Sequence, residues 1–490
     1  MMADTAEIHG AAVQRALALL GPFPDNWVAE APGTDANVTI VGAGQSGLAL
    51  AFALRRAGVG RVTILDAATE DREGIWRTRA RMPTLRTPKV NPGPELGVGE
   101  LGFQAWYERE YGRGSFGSLV RASTQDWARY VTWFRKALAV PVWFETRLAD
   151  VRPDGANLRL TLDGPDGRRT IASRKLVLAT GFAGGGGPYV PPVIAENLPG
   201  ELYSHSIDEI DPSLFRGRRV GIVGAAASAF DHAGAALENE AKEVRLFSRR
   251  SDLVRIARFI SAGYPGGDYF VTLPDRERWS IASYYLEHGS PPPVDSVLRS
   301  TGHDNFHLHL EAPIRHVEYN GGRILLTAGN ERFELDHLVA ATGFEIDLAR
   351  RPELASVIGD AATWADRYSP PDGGAARLLK APYLRPSFSL EEKRPGTAPH
   401  LHDIHVFNGA GFVSFGRILG DVSSIRRLVP RLAEAISADL FQDDRDHHLQ
   451  RLRTDLPSEG LTDEQFRHRV WPASGAAGPV ADRLIGEKAS

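Results

Sequence analysis

Gly42, Gly44 and Gly47 stand at the spacing G-x-G-x-x-G within Asn37-Val-Thr-Ile-Val-Gly-Ala-Gly-Gln-Ser-Gly47. An apolar, strand-like run precedes them, and an alanine- and leucine-rich helical run to Ala57 follows. In that setting the first glycine makes a tight turn, the second admits a pyrophosphate to the backbone, and the third lets helix and strand pack closely. Free amides at the helix start then face the phosphates, and the helix dipole adds favourable charge. A second strand, Arg61 to Leu65, ends in Asp66, a carboxylate placed to accept hydrogen bonds from ribose hydroxyls. Gly42, Ala43, Gly44, Ser46, Gly47 and Asp66 are therefore candidate dinucleotide-binding residues.

The same outline returns at Arg219-Val-Gly-Ile-Val-Gly-Ala-Ala-Ala-Ser-Ala229, followed by a helix to about Glu240 and a strand from Glu243 to Phe247. Ala226 replaces the middle glycine, and its methyl group would crowd a pyrophosphate. On that ground the unit reads either as a relic or as a second nucleotide site. The residues after the strand favour a site: Ser248, Arg249 and Arg250 occupy the place that Asp66 holds in the first unit. An acid there repels a ribose 2′-phosphate, whereas a hydroxyl and two guanidinium groups suit it. The contrast points to FAD in the first unit and NADPH in the second, with Gly224, Ser228, Ala229, Arg249 and Arg250 as contacts.

These turns need sheets to carry them. Lys175-Leu-Val-Leu-Ala-Thr-Gly-Phe182 and His337-Leu-Val-Ala-Ala-Thr-Gly-Phe344 are near copies, each an apolar strand ending in Thr-Gly. They read as the exits of two nucleotide-binding sheets, which adds Thr180, Gly181, Thr342 and Gly343 to the candidates. The expected fold is α/β with two Rossmann-like dinucleotide-binding domains, the NADP domain inserted into the FAD domain. Residues 1–35 form a helical extension with Thr5 as N-cap, 36–187 the first part of the FAD domain, and 188–336 the inserted domain. Residues 337–442 return to the FAD domain, and 443–490 form a charged tail. Gly184 to Gly187 with Pro188, Pro191 and Pro192 supplies a crossing linker.

Composition removes several alternatives. The 490 residues exceed one core, and 57 basic against 61 acidic side chains give a net charge of -4, with no electrostatic footprint for nucleic acid or membrane. The chain contains no cysteine, so it has no disulfide, thiolate metal site or redox cysteine pair of its own. No transmembrane or secretory segment is read, and a cytoplasmic location is expected. No metal is expected; His303, His307 and His309 read as part of a strand. A homo-oligomer is compatible with the sequence. Arg258, Tyr264, Tyr269, Trp279 and Tyr284 form an aromatic-rich stretch that reads as core packing or as a channel lining.

From Val38 to Phe441 the chain resembles the class B flavoprotein monooxygenases, the group of flavin-containing monooxygenases and N-hydroxylases. The resemblance rests on the two turns, the two Ala-Thr-Gly-Phe strands, Gly74-Ile-Trp76, and Met82-Pro-Thr-Leu-Arg-Thr-Pro-Lys89. It implies that Trp76 lies along FAD, that the following loop covers the flavin face with Asn91 nearby, and that His205 belongs to a linker signature around Leu198-Pro-Gly200. Asn91 and His205 are the only named candidates for a part in catalysis, and Leu148 is a further cofactor-binding candidate. Glu209 stands where ketone-oxygenating members carry Trp, which steers the reading away from ketones. By resemblance the activity is an FAD- and NADPH-dependent monooxygenase that forms a C4a-hydroperoxyflavin with dioxygen and oxygenates a small nitrogen- or sulfur-containing molecule. An NAD(P)H-dependent oxidoreductase without oxygen insertion, and a flavin-binding protein with a disabled nicotinamide site, stay open as alternatives.

Overall fold

The apolar run at Ala36–Val41 forms a strand with Val38 and Ile40 fully buried. The helix after its turn spans Gln45–Arg56 and buries Leu48, Leu50, Phe52 and Leu54. Both features are what a central parallel strand and its crossover helix require, since both faces of such a sheet are covered. The computed structural model describes residues 2–258, 266–371, 375–416, 419–454 and 459–471.

The first sheet has six strands, in the order 62–65, 36–41, 167–181, 157–164 and 147–154, with 404–408 also pairing on 167–181. The strand Gly167–Gly181 is long enough to carry antiparallel and parallel pairing in turn within that one sheet. Its first half pairs antiparallel with Asn157–Gly164, while Ser173 to Leu178 run parallel to Ala36–Val41. Ile404–Asn408 closes the other side in parallel, so the chain returns to this sheet after the second domain.

The second sheet has five strands in the order 306–309, 243–247, 219–223, 337–340 and 203–205, all parallel. Its helix, Ala227–Glu238, buries Phe230, Ala233 and Leu237 against it. A three-stranded antiparallel meander, 314–335, packs beside it on Leu335 and Leu338. The fold class expected from the sequence is the one observed, the second nucleotide-binding sheet being built from a segment that interrupts the first. The boundary at 336/337 is corrected: His337–Ala340 pairs in parallel with 219–223 and 203–205, so the chain leaves the second sheet only after this strand.

The two crossings are laced together. Gly186–Pro188 pairs antiparallel with Phe344–Ile346, so the outgoing and returning chains form a ribbon. At Gly186 a side chain would meet the backbone of Glu345 and Asp347 at 2.7 Å, which explains glycine there. The N-terminal helix spans Met2–Leu19, so Thr5 lies within it rather than capping it. It packs through Val13, Ala16 and Leu17 on the main core. Met1–Leu440 form one compact unit and Phe441–Ser490 a second. No helix among the described residues is long and apolar enough to cross a membrane.

Candidate active site: two nucleotide cradles

Gly42 adopts φ +109, and a side chain there would strike the Ala179 carbonyl at 2.5 Å. The turn is thereby seated on the Ala-Thr-Gly exit of its own sheet. Gly44 is different, since a Cβ there would meet only the Cα of Gly74, at 3.7 Å. The Gly74-Ile-Trp76 loop thus comes against the middle of the glycine turn, where backbone is left bare for a ligand. Gly47 is held against Ile40 and the Gly42 carbonyl, the close helix–strand contact that the third glycine permits.

Asp66 is engaged on both oxygens. Its Oδ2 accepts the Ala43 amide and its Oδ1 the Ala68 amide, each at 2.8 Å. A carboxylate oxygen has a second lone pair, so ribose hydroxyls can still donate to it. Its first task in this structure is to brace the turn. The segment carrying Leu148 runs alongside, with the Thr146 amide donating to the Asp66 carbonyl at 2.9 Å. The Leu148 side chain itself lies in the core, so only its backbone is available to a ligand.

Groups with no motif spacing complete this first cradle. Gln45, at the helix start, accepts Trp127 Nε1–H at 2.9 Å and donates to the Gly420 carbonyl at 3.0 Å. Ser46 Oγ donates to the same carbonyl at 3.3 Å, which places the approach to the helix Val422–Asp443 beside the first turn. Trp76 meets Trp127 edge-on at 6.4 Å. Asn408 donates to Thr180 Oγ1 at 3.0 Å, tying the returning strand to the first exit. Asn91 is half-buried, in a turn closed by its amide to the Pro88 carbonyl at 3.0 Å. Two positions on, Gly93 lies against Trp127 and donates to Glu95, whose buried carboxyl has a pKa raised by burial above the ordinary carboxylate value.

The second turn faces a cavity of about 1510 Å³, lined by Gly224, Ala225, Ala226, Ser228, Ser248, Arg249 and Arg250 together with Thr342 and Gly343. Gly224 has φ +127 and sits on the Ala341 carbonyl as Gly42 sits on Ala179. The Ala226 methyl does not close this space, which exceeds the ~300–1,000 Å³ of ordinary small-ligand sites. The relic reading thereby loses its physical reason. Ala229 is fully buried and only packs, whereas Ser228 faces the cavity. Arg250 is turned away in part, donating to the Glu287 carbonyl, while Arg249 is exposed.

His205 is corrected by the structure. It is 2 % exposed, donates from Nε2 to the Gly343 carbonyl at 2.9 Å and accepts the Ile207 amide on Nδ1 at 3.2 Å. Burial lowers its pKa below the usual histidine value, so the neutral ring is the resident form. With both nitrogens used it fixes the second exit and has no group left for a substrate. Phe344, beside it, pairs with Phe182 across the two exits at 5.8 Å. In the aromatic stretch, Trp279 is buried against Trp364 while Tyr284 reaches the cavity and accepts Arg258 Nε–H at 2.8 Å. Tyr264 lies outside the described residues. His309 lies flat on Phe247 at 5.0 Å.

Two strand-to-helix turns of small residues, each backed by a Thr-Gly exit, define a two-dinucleotide-fold oxidoreductase. Residues 39–259 match the family model described as pyridine nucleotide-disulphide oxidoreductase. The chain is 38% identical over 415 residues to an FAD-dependent urate hydroxylase of Xanthomonas campestris pv. campestris, covering 84% of this chain and 87% of that one. This chain therefore belongs to the family of that FAD-dependent hydroxylase and is an oxidoreductase. Its fold is shared with the ornithine N-hydroxylase of Kutzneria sp. 744, at a TM-score of 0.63 and 15% identity over 82% of this chain and 99% of that one. L-lysine 6-monooxygenase from Pseudomonas syringae is similar at a TM-score of 0.61 and 20% identity, over 82% and 99%. The cofactors read from the two turns, FAD and NADPH, agree with this membership. The disulphide chemistry in the family model's description does not carry over to a cysteine pair, since the chain has none.

Proposed function

We propose that the protein is an FAD- and NADPH-dependent monooxygenase that inserts one atom of dioxygen into a small nitrogen-containing molecule. The observation that carries this reading is the pairing of two cradles that sit alike on their own Thr-Gly exits and end in opposite charge. One ends in Asp66, which suits a ribose diol; the other ends in Ser248 and Arg249 beside a large cavity, which suits a 2′-phosphate. The hydroxylase relative supports the oxygen-inserting class, and urate, which it is named for, favours the nitrogen half of the expected substrates over sulfur.

Bound flavin, reduced by NADPH, supplies the oxygen chemistry. What the chain contributes is placement. Gly42, Gly44 and Gly47 bare the amides that hold one pyrophosphate, with Gly74 and Trp76 closing over them. Ser228, Arg249 and Arg250 hold the other dinucleotide. His205 fixes the Gly343 carbonyl where the second exit meets the first. The Phe182–Phe344 pair puts apolar surface at that junction, which keeps water from the reacting centre.

The test is an oxygen balance. NADPH consumption, hydrogen peroxide release and labelled-oxygen incorporation are measured across amines, amino acids, nitrogen heterocycles and sulfides. The reading expects one substrate in the nitrogen group to carry one labelled atom with little peroxide. Peroxide equal to NADPH consumed with every compound overturns oxygen insertion. Failure of NADPH to bleach the flavin overturns the second cradle.

A further inference from the structure

The cavity beside the second turn has a wall that the nucleotide-binding sheet does not supply. On that wall stands Arg377, from the segment that returns to the first domain after the second exit. It is carried by the short helical turn Ala376–Lys380, entered through Ala375 at φ +54. The turn is fixed from both sides. Leu378, 1 % exposed, packs among Trp279, Trp364 and Phe412, and Lys380 pairs with Asp347 at 3.4 Å. The Trp364 amide also donates to the Ala381 carbonyl at 2.9 Å, which ties down the residue after the turn.

The charges around the cavity do not balance. Arg249, Arg276 and Arg377 all line it, and none has an ion-pair or hydrogen-bond partner among the described residues. Three acids face these and Arg250, four arginines in all: Asp252 pairs with Arg255 at 2.8 Å, Glu345 pairs with Arg350 at 3.5 Å and also attracts Arg377, and Glu287 makes no ion pair among the described residues. Arg377 lies close enough to Arg249 for the two like charges to repel. Partial burial first, and that repulsion second, hold its pKa below the usual guanidinium value, although it stays cationic at neutral pH. Two unpaired guanidinium groups brought together from different elements make a site for a doubly charged oxyanion, since a phosphate removes the repulsion and accepts from both forks.

Resting on the reading of this cavity as the NADPH site, we infer that Arg377 is a second, opposing arm of the phosphate grip. Arg249 and Arg377 close on one phosphate group of the dinucleotide from opposite walls. Because Arg377 stands outside the five-stranded sheet, its bond forms only when the two parts of the chain are in register around bound cofactor. Binding energy from the phosphate thereby holds that register.

The experiment is direct titration of flavin-loaded protein with 2′,5′-ADP, 5′-ADP and NADP+, followed by calorimetry and not by turnover. Parent, Arg249→Ala, Arg377→Ala, Arg377→Lys and the double alanine variant are compared, with flavin content as the check on folding. Arg377→Ala is expected to raise Kd by about tenfold or more, the scale of one charge-assisted fork. Arg377→Lys should recover part of the loss, since it keeps the charge without the fork. A loss confined to 2′,5′-ADP and NADP+ assigns the arm to the 2′-phosphate. An equal loss for 5′-ADP assigns it to the diphosphate. In either case the double variant should lose less than the sum of the single ones, because both arms hold one group. Unchanged Kd for all three ligands in Arg377→Ala overturns the inference, while unchanged Kd in Arg249→Ala overturns the cavity assignment on which it rests.

Discussion

Asp66 spends one lone pair of each oxygen on the chain itself, at Ala43 and Ala68, and so sets the shape of the turn before any ligand arrives. Gly44 shows the complementary economy: it has space on one side and Gly74 on the other. Gly44→Val puts two methyl groups into the space proposed for the pyrophosphate without forcing a positive φ. It should therefore purify folded but colourless, as judged by far-ultraviolet circular dichroism and visible absorbance. Glu95 makes a different prediction. Burial raises its folded pKa above the unfolded value, so its contribution to stability is full at low pH and lost as pH rises through the folded pKa. Glu95→Gln keeps an acceptor for the Gly93 amide and cannot ionise. Its melting temperature relative to the parent should climb as pH rises above the ordinary carboxylate range, and a difference that falls with pH would refute the assignment. The glycine spacing and Asp66 were legible in the sequence because each answers a local geometric demand. Gln45, Trp127, Glu95 and Arg377 were not, because contacts 82 residues apart, as between Gln45 and Trp127, leave no spacing to read.

Elements carry the next layer. The strand Gly167–Gly181 was legible only from Lys175 on, where the apolar run begins. Its first half is mostly exposed, with Arg168 pairing Asp163 at 2.7 Å, and a solvated hairpin arm has no buried stripe to reveal it. The second Thr-Gly exit looked like a copy of the first, but the two are held differently. Asn408 ties the first through Thr180, and His205 ties the second through the Gly343 carbonyl. Reading His205 as a candidate for catalysis came from its place in a linker signature, which records position and not exposure. His205→Leu strands the Ile207 amide and takes away one of the two donors to that carbonyl, which keeps the Tyr189 amide at 3.0 Å. The expected cost is about 1–3 kcal/mol in unfolding free energy, with a raised Kd for NADP+ and unchanged flavin content. Loss of flavin with NADP+ affinity intact would reverse the assignment of the exits.

For the molecule as a whole, the loop from Arg72 to Arg86 is the brace between the two sheets. Arg72 pairs with Glu209, Arg81 donates to the Ile210 carbonyl, and Arg86 pairs with Asp231 on the helix after the second turn. Arg299 returns the tie by donating to the Arg81 carbonyl at 3.0 Å. Glu209, notable in the sequence only for what it is not, is thus one end of a clasp. Asp231→Asn retains an acceptor for Ser296 Oγ while removing the charge opposite Arg86. It should slow reduction of the flavin by NADPH about ten- to a hundredfold through misplacement alone, with FAD still bound, as read by rapid-mixing absorbance. An unchanged reduction rate would show that the clasp does not set the distance.

The ribbon of Gly186–Pro188 on Phe344–Ile346 has an engineering consequence. Paired strands keep their Cα atoms about 5 Å apart, so everything between them begins and ends at nearly one point. Such a segment can be cut out and its stumps rejoined by a splice of a few residues, or a relative's counterpart can be grafted at the same two cuts. The segment 189–343, which carries the second sheet, is thus expected to be exchangeable as a cassette.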